Sequence, residues 1–141
     1  MAELCMNCVP IGFVSSPFKT REDAPKQGRH TDELSIITLE PAYQEAAEGL
    51  CIGDDLFVFC WFDRSDRTVL KSRRPGEEQK PPRGIFSNRS PNRPNPIALT
   101  LVKLVNIEGS ILTVQGLEAL DQTPVVDIKP YSEGIDTPRN G

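Results

Sequence analysis

Short apolar runs, separated by polar segments rich in proline and glycine, recur along most of the chain. Their lengths and their content of β-branched and aromatic residues are typical of strands. We expect strands at residues 11–18, 34–39, 55–62, 84–89, 96–107, 110–117 and 124–131. The segment PAYQEAAEGL at residues 41–50 has proline where a helix would begin and glycine where one would end, so it predicts one short helix.

The predicted strands follow one another without helical crossovers, so the sheet that they form should be largely antiparallel. Glu108-Gly109, between two of the runs, is a hairpin signal. Closure into a small barrel removes the exposed edges of such a sheet. The sequence therefore predicts an all-β fold: a small antiparallel β-barrel with one short helix and no Rossmann fold. We expect a single domain over residues 1–141, with residues 1–8 and 132–141 as peripheral, irregular tails.

Length and composition agree with an ordinary soluble globular protein. The 141 residues are 38% hydrophobic and 26% charged, which is enough apolar content for one core. No apolar window of about 18 residues occurs, so no transmembrane helix is expected. The N-terminal segment MAELCMNCVPIG contains an acidic residue and no long apolar stretch, so it does not resemble a secretory signal. A cytoplasmic protein is therefore the expectation.

Several common chemistries are not favoured. No two of the ten glycines are two residues apart, and no Walker A sequence occurs, so neither a Rossmann nor a P-loop site is expected. The only histidine, His30, lies in a polar segment and is interpreted as a surface residue. Cys5 and Cys8 form a C-x-x-C, but Cys51 and Cys60 lack the paired spacing of a zinc site. We interpret Cys51 and Cys60 as buried core thiols and predict no metal.

Charge is distributed unevenly along the chain. The net charge is −4, yet residues 64–93 contain nine lysines and arginines against three acidic residues. A basic segment in an otherwise acidic chain favours a localised anionic partner, such as an RNA backbone or a phosphate. A solvated arginine-rich loop would give the same pattern. The segment KSRRPGEEQKPPRG, residues 71–84, is broken by three prolines and is long enough for a functional loop.

Two stretches have more specific patterns. RSPNRPNPIALT, residues 89–100, places three prolines among two arginines and two asparagines before an apolar run. Proline fixes its own φ and biases the preceding residue toward extended backbone, which would hold the polar side chains in preset positions. In LDQTPVVDIKPY, residues 120–131, a strand would put Asp127, Lys129 and Tyr131 on one face. That face would line a site or form a salt-bridged rim of the barrel.

Together the two stretches resemble the TrmO (TsaA-like, VirR-type) family of S-adenosylmethionine-dependent tRNA methyltransferases. RSPNRPNPI and DQTPVVDIKPY are similar to the family segments R-S-P-x-R-P-N-P-I and D-G-T-P-V-x-D-I-K-P-Y, and IGFVSSPFK, APKQG and FVFCWFDRSDR extend the resemblance over nearly the whole chain. The resemblance implies a β-barrel homodimer with an S-adenosylmethionine site. It implies methylation of the exocyclic amine of a threonylcarbamoylated adenosine next to the tRNA anticodon.

The resemblance and the residue chemistry together give candidate contacts. Arginine suits the donor carboxylate or an RNA phosphate, asparagine an adenine edge, and aspartate or threonine the ribose hydroxyls. Asp127 or Tyr131 would assist loss of a proton, and Lys129 would hold an oxyanion or phosphate. The donor-binding candidates are Pro25, Lys26, Gln27, Asp63, Arg64, Arg89, Arg93, Asn95, Leu99, Asp121, Gln122, Thr123 and Pro124. The candidates for contact with the tRNA backbone are Arg73, Arg74, Lys80 and Arg83.

Three positions depart from the family pattern. Asp63 stands where histidine is usual, and Ala98 and Gln122 stand where glycine is usual. Aspartate accepts hydrogen bonds but, when ionised, cannot donate one as neutral histidine can, which leaves a relaxed tRNA preference open. Two other functions stand beside the enzyme: a non-catalytic RNA-binding barrel, and a dimer that senses S-adenosylmethionine without RNA.

Overall fold

The computed structural model describes residues 3–20 and 32–139, and within these ranges it contains eight strands and three short helices. The strands are β1 (Gly12–Ser15), β2 (Leu34–Leu39), β3 (Asp55–Trp61), β4 (Lys71–Ser72), β5 (Arg83–Gly84), β6 (Ile97–Glu108), β7 (Ile111–Gln115) and β8 (Pro124–Pro130). The helices are two 3₁₀ helices, Pro41–Ala47 and Ile85–Ser87, and one α-helical turn, α1, at Glu133–Asp136. None of these helices combines the length and the apolar character that a membrane-spanning helix requires.

Six of the described strands close into an antiparallel barrel in the order β1-β2-β7-β6-β3-β8, and β8 pairs back to β1. The predicted all-β antiparallel barrel is therefore confirmed. β6 and β7 form the predicted hairpin, and Gly109 in its turn has a φ of +58°, a conformation that glycine adopts without steric cost. β4 and β5 pair with each other in a separate two-stranded sheet.

The strand predicted at residues 84–89 is wrong. Only Gly84 pairs, at the end of β5, and Ile85–Ser87 form a 3₁₀ helix. The Ser87 hydroxyl donates to the Gly84 carbonyl oxygen at 2.6 Å, and the Asn88 backbone N–H donates to the Ile85 carbonyl oxygen. Such local hydrogen bonds compete with sheet pairing, so they turn the backbone where the apolar pair Ile85-Phe86 indicated a strand.

Two smaller differences concern helical segments. The helix predicted at residues 41–50 is present, but it is a 3₁₀ helix that ends at Ala47, the only residue of it that is buried. The tail after residue 131, predicted to be irregular, contains α1. The Asp136 backbone N–H donates to the Ser132 carbonyl oxygen at 2.7 Å and closes the single turn, and the Asp136 carboxylate accepts from the Ser132 backbone N–H at 2.7 Å.

The cysteines are divided differently from the prediction. Cys60 on β3 is buried as predicted, whereas Cys51 is exposed. Cys51 lies in the turn before β3, where its backbone N–H donates to the Asp54 carboxylate at 2.8 Å. This turn ends the apolar run before β3 begins, so Cys51 lies outside the barrel. Burial, with a smaller contribution from Glu118, raises the pKa of the Cys60 thiol to about 12, so this thiol stays protonated and unreactive at neutral pH.

The barrel core follows the period of two that strands impose on their side chains. On β3, Leu56, Val58 and Cys60 point inward and are buried. On β6, inward Val102 and Leu104 are buried, and the other strands contribute Val14, Ile37, Leu39, Leu112, Val114 and Val125. Burial of these side chains provides the main favourable free energy of folding.

The outer surface of β3 and β6 is also apolar. The register pairs Phe57 with Leu101, Phe59 with Leu99, and Trp61 with Ile97, all on the outside of the barrel. At one end of this surface Lys103 forms an ion pair with Asp55 at 2.7 Å. Two apolar faces on the same strands explain why the hydrophobic alternation along the sequence is imperfect. We call the six apolar side chains the outer apolar face.

A β-bulge sets the direction of the side chains of β8. Asp127 is opposite Phe59, but Val125 is opposite Cys60, so one extra residue, Val126, lies between the two pairs. The extra residue keeps Val125 in the core while Asp127 and Lys129 lie beside the outward-facing Phe59 and Phe57.

A first prediction concerns Gly12, whose backbone lies against β2. A Cβ atom at Gly12 would lie 2.5 Å from the backbone oxygen of Thr38, a distance that requires the strands to separate. We expect Gly12→Ala to lower the free energy of unfolding by at least about 1 kcal/mol, measured by urea denaturation. Gly84→Ala is the control, because Gly84 also lies in a strand and its added Cβ would meet no atom within 4 Å beyond its chain neighbours. An unchanged stability of Gly12→Ala would contradict this packing.

Candidate functional site

An open cavity of about 1040 Å³ lies where the loop after β3, the proline-rich loop before β6 and the loop before β8 meet. This volume is at the upper end of the roughly 300–1,000 Å³ typical of small-molecule pockets. Its walls combine arginines with apolar side chains, and the start of β6 forms part of one wall. The lining includes Phe62, Asp63, Arg64, Arg73, Arg74, Phe86, Asn88, Arg89, Arg93, Ala98, Leu99, Glu118, Leu120 and Thr123.

Arginine side chains hold the proline-rich loop in shape. The half-buried Arg93 turns back on its own loop, and its Nη1 donates to the carbonyl oxygens of Asn88 at 3.0 Å and Ser90 at 3.1 Å. Arg67 donates to the carbonyl oxygen of Pro94 at 2.7 Å and to Oδ1 of Asn95 at 3.1 Å. Prolines have no backbone donor, so the loop cannot form a regular hydrogen-bonded turn network by itself. The guanidinium groups supply the missing donors.

Arg64 connects two walls of the cavity. Its Nη2 donates to the Asp121 carbonyl oxygen at 2.7 Å and to the Thr123 hydroxyl at 3.2 Å. Its Nε lies 3.7 Å from the Asp63 carboxylate. The loop after β3 and the loop before β8 are therefore tied together by one side chain.

Gln122 lies at the tip of the loop before β8 and has a φ of +70°. Glycine adopts this left-handed conformation most easily, which gives a physical reason for the usual glycine at this position. Its backbone N–H donates to the Val14 carbonyl oxygen at 2.7 Å. The neighbouring Asp121 carboxylate accepts from the Ser16 backbone N–H at 2.9 Å and pairs with Lys19 at 3.0 Å. These contacts, the Ser16 hydrogen bond above all, lower the pKa of Asp121.

Glu118 is a cavity residue that sequence reasoning missed. It lies between Leu117 and Ala119, which are both buried, and the Thr100 hydroxyl is 3.4 Å from its Oε1. Burial raises the pKa of Glu118 to about 7, although the Thr100 hydrogen bond and the charge of Arg89 oppose the rise. The only sequence signal was a single carboxylate in the mostly apolar segment VQGLEAL.

Two further polar groups of the cavity have unused donors. Nη2 of Arg89 donates one hydrogen bond to the Leu99 carbonyl oxygen at 3.1 Å, and the other N–H groups of the guanidinium are available for other partners. Asn88 Nδ2 is buried in the wall and has no hydrogen-bond partner among the described residues. Buried amide donors are normally paired, so this one fits a site that a polar ligand completes.

The cavity is lined by eight of the seventeen predicted site residues that the structure describes. Among the donor-binding candidates, those that line it are Asp63, Arg64, Arg89, Arg93, Leu99 and Thr123. Among the RNA candidates, Arg73 and Arg74 line it. The described candidates outside the lining are Asn95, Asp121, Gln122, Pro124, Lys80, Arg83, Asp127, Lys129 and Tyr131. Pro25, Lys26 and Gln27, like His30, lie outside the residues that the structure describes.

The three catalytic candidates share the outside of the barrel instead. Asp127 and Lys129 form an ion pair at 3.5 Å, and Oδ1 of Asp127 accepts from the Ile128 backbone N–H at 2.9 Å. The Tyr131 ring meets the Phe57 ring edge-on, with 5.8 Å between centroids. Within one chain these groups adjoin the outer apolar face.

The basic loop uses part of its charge to hold itself together. Arg73 Nε donates to the Lys80 carbonyl oxygen at 2.7 Å, and Arg74 donates to the Ser87 carbonyl oxygen. Lys80 also pairs with Glu77 at 3.6 Å. The arginines thus fix the loop at the mouth of the cavity, and Phe86 lies beside them with its side chain in solvent.

Comparison with known families agrees with the barrel and the two motif loops. The family model of the tRNA-methyltransferase O (TrmO) N-terminal domain matches residues 13–137. The chain belongs to this family. The resemblance noted in the sequence is therefore confirmed, and the matched range includes every described residue of the cavity.

Named relatives of the TrmO domain extend the comparison. A probable S-adenosyl-L-methionine-binding protein of Methanothermobacter thermautotrophicus is 47% identical over 97% of this chain and 98% of its own length. An S-adenosyl-L-methionine-binding protein of Archaeoglobus fulgidus is 46% identical over 90% of both chains. The crystal structure of TrmO from Pseudomonas aeruginosa superposes with a TM-score of 0.79 and 28% identity, covering 98% of this chain. The present chain spans 61% of that TrmO chain.

Proposed function

We propose that this chain is a tRNA methyltransferase that uses S-adenosylmethionine. The acceptor would be the exocyclic amine of the adenosine next to the anticodon, already carrying a threonylcarbamoyl group. The observation that carries the proposal is one basic cavity around which both motif loops of the TrmO domain meet. A tRNA substrate also favours a cytoplasmic location.

The cavity fits the chemical parts of the donor. The donor supplies a methyl group on a sulfonium, which is already activated, so the protein's task is mainly to position the two reactants. Arg89 would bind the donor carboxylate, since its guanidinium retains unused donors. The buried Nδ2 of Asn88 would donate to an adenine nitrogen or a ribose oxygen. Phe62 and Ala98 provide apolar surface for the adenine ring, and so does Leu99, where the outer apolar face meets the cavity.

Other donor contacts are proposed from the family resemblance. Arg64 would position rather than bind, because it holds Thr123 and the Asp121 backbone against the cavity. Asp63 would meet the donor or the acceptor from the same loop. Pro25, Lys26, Gln27, Arg93, Asn95, Leu99, Asp121, Gln122, Thr123 and Pro124 complete the proposed donor environment.

The mouth of the cavity suits an RNA acceptor. Arg73 and Arg74 lie there, and their positive charge complements the phosphates of an anticodon loop. Lys80 and Arg83 belong to the same basic loop and would contact the backbone farther from the cavity. Anticodon loops present unpaired bases, so a base can enter the cavity at low cost.

The outer apolar face supports a homodimer. Ile97 and Leu101 are nearly half exposed, and the aromatic side chains of β3 lie beside them, so a single chain leaves a contiguous apolar surface in water. A second copy that packs here would bury this surface. The boundary between the subunits would then include Asp127, Lys129 and Tyr131. We propose that these three residues act on the acceptor nucleotide when it is bound in a cavity next to this boundary.

Leu101 tests this dimer. We expect Leu101→Glu to convert a dimer to a monomer in analytical ultracentrifugation, because a charge would be buried at the centre of the contact. Ile111→Glu is the control, since Ile111 is also nearly half exposed but lies on β7, opposite Glu108 at the far end of β6. A dimer that survives Leu101→Glu would exclude the outer apolar face as the contact.

Methyl transfer is the direct test of function. Labelled S-adenosylmethionine is incubated with tRNA from cells that threonylcarbamoylate the adenosine but lack its methylation, and the labelled nucleoside is identified by mass spectrometry. Label on that adenosine is the expected result, and tRNA without the threonylcarbamoyl group shows whether the group is required. Donor binding by calorimetry without any label in tRNA would instead indicate a donor sensor. Absence of donor binding would exclude both enzyme and sensor.

A further inference from the structure

Phe86 is an aromatic side chain without an evident structural role. Its side chain is 84% exposed, whereas no other aromatic residue in the described ranges exceeds 38%. A lone exposed apolar residue is common, so exposure alone indicates little. The position of Phe86 is informative, because it lines the mouth of the cavity.

The backbone beneath Phe86 is firmly held. Ile85 is buried, and its backbone N–H donates to the Leu70 carbonyl oxygen at 2.9 Å. On the other side, the Ser87 hydroxyl donates to the Gly84 carbonyl oxygen at 2.6 Å, while Arg74 Nε donates to the Ser87 carbonyl oxygen at 3.0 Å. A ring mounted on such a turn loses little conformational entropy when a partner packs on it.

The groups around Phe86 indicate the chemistry of the partner. Arg73, Arg74, Arg89 and Arg93 line the same cavity, so the ring is surrounded by positive charge. An apolar protein partner would leave these charges poorly solvated. An aromatic face beside arginines is instead the combination with which proteins bind unpaired nucleobases, since the ring stacks on the base and the cations meet the phosphates.

We propose that Phe86 stacks on an unpaired base of the RNA substrate, next to the base that enters the cavity. This proposal rests on the proposed function, because it concerns the RNA side of the same site. It assigns to the 3₁₀ helix at Ile85–Ser87 the role of a fixed platform that sets how far the RNA loop opens.

Substitutions that separate stacking from apolar contact test the proposal. We expect Phe86→Ala and Phe86→Leu to weaken binding of an anticodon stem–loop RNA by about 10-fold or more, within the roughly 5- to 150-fold that loss of one stacked base produces. Phe86→Trp should retain the affinity, measured by fluorescence anisotropy. Affinity for S-adenosylmethionine should stay unchanged in all three variants. Phe13→Ala is the matched control, since it removes an aromatic ring from β1, outside the cavity.

Each other outcome has a distinct meaning. Equal RNA affinity of Phe86→Ala and the wild type would overturn the proposed stacking of Phe86 on a base. Full affinity of Phe86→Leu would also overturn it, because it would indicate a generic apolar contact. Dissociation of a dimer by Phe86→Ala would identify Phe86 as a subunit contact and would also overturn the platform. A wild-type protein that does not bind RNA refutes the proposed function itself.

Glu118 carries a second inference from a different observation. Its carboxyl lies in the cavity on a backbone fixed by buried neighbours, and it faces the Thr100 hydroxyl, the Arg89 guanidinium and the protonated Cys60 thiol. Asp63, the other carboxylate of the lining, is turned toward Arg64. Glu118 is therefore a carboxylate in the cavity without an ion pair within 4.0 Å among the described residues.

We infer that Glu118 accepts the proton that leaves the acceptor nitrogen. The inference rests on the proposed methyl transfer, in which a nitrogen–carbon bond forms while the carbon–sulfur bond breaks. The sulfur leaves with the bonding electrons as a neutral thioether, and the nitrogen proton moves to the carboxylate. Arg89 and the Thr100 hydroxyl would stabilise the charged carboxylate before the transfer. The raised pKa of Glu118, about 7, suits a base that works near neutral pH.

Kinetics of Glu118→Gln test this role. We expect kcat to fall about 10²- to 10⁴-fold, the usual range for loss of a general base, while the Kd for S-adenosylmethionine changes less than about twofold. The rise of the wild-type kcat with pH near neutrality should disappear in Glu118→Gln, and Glu118→Asp should restore part of the activity. Circular dichroism confirms that the variants are folded.

The contrary results are equally specific. If the wild type transfers methyl groups and Glu118→Gln keeps its kcat and pH profile, Glu118 is not the proton acceptor, and Asp127 or Tyr131 would then be tested. Loss of donor binding in both variants would indicate a structural role and would overturn the inference. Absence of activity in the wild type would refute the proposed function before the role of Glu118 arises.

Discussion

Arg89→Ala is expected to weaken S-adenosylmethionine binding by about 10- to 100-fold. The guanidinium lines the cavity, and its only hydrogen bond among the described residues is donated to the Leu99 carbonyl oxygen at 3.1 Å. A hydrogen bond to a charged group contributes about 1.5–3 kcal/mol, and each 1.4 kcal/mol changes an affinity tenfold. Loss of the contact with the donor carboxylate should therefore be clearly visible in calorimetry.

Two variants make this result specific. Arg83→Ala removes the same charge from the same basic segment but outside the cavity, so the donor Kd should change less than twofold. Arg89→Lys keeps the charge but loses the planar fork, so an intermediate Kd is expected. If Arg89→Ala binds the donor as tightly as the wild type, the donor carboxylate lies elsewhere. A parallel loss in Arg83→Ala would indicate a general effect of net charge.

Much of the fold could be predicted because its signals are local. Short apolar runs rich in β-branched and aromatic residues, the glycine in the β6–β7 turn and the absence of helical crossovers all indicated an antiparallel barrel. The failure at residues 84–89 is also local in origin. The Ser87 hydroxyl and the Asn88 backbone N–H form hydrogen bonds within this segment. These local hydrogen bonds favour the 3₁₀ helix over the strand that the apolar pair Ile85-Phe86 indicated.

The site could be predicted only in part, because residue types show which contacts are available but not which are already used. Arg93 is a donor-binding candidate in the sequence, yet the structure commits its guanidinium, like that of Arg67, to carbonyl oxygens of the proline-rich loop. Glu118 shows the opposite error. A carboxylate in an apolar segment gives no local sign that distant loops will enclose it, so only the folded chain shows its position in the cavity.

The direction of Asp127 and Lys129 illustrates a third limit. Period-two alternation correctly predicted that the two side chains share a face. It could not show that a bulge at Val126 separates this face from the core residues of the same strand. Nor could it show that the face adjoins apolar residues of β3 rather than the cavity. Their proposed role therefore depends on a second chain, which only the dimer experiment can test.

The ionisation of Glu118 should also change the stability of the fold with pH, whether or not the protein catalyses a reaction. We expect the free energy of unfolding to decrease by about 1–2 kcal/mol through this group as the pH rises from about 4.5 to about 7. The pKa of Glu118 is raised on folding from its usual 4.5 to about 7, so between these values the folded protein holds a proton that the unfolded chain has lost. Since the folded state binds more protons, stability must fall as the pH rises. The full shift would correspond to about 3 kcal/mol, and solvent screening at the open cavity reduces it.

Chemical denaturation of the wild type and Glu118→Gln between pH 4 and pH 8 measures this effect. Glutamine cannot ionise, so the variant should lack this part of the pH dependence and should be the more stable protein at pH 8. Glu48→Gln removes an equal charge from an exposed position outside the cavity and controls for the change in net charge. Parallel curves for wild type and Glu118→Gln would mean that the carboxyl ionises as easily in the folded state as in the unfolded chain. In that case Glu118 would be charged well below neutral pH, and its suitability as a proton acceptor would rest on geometry alone.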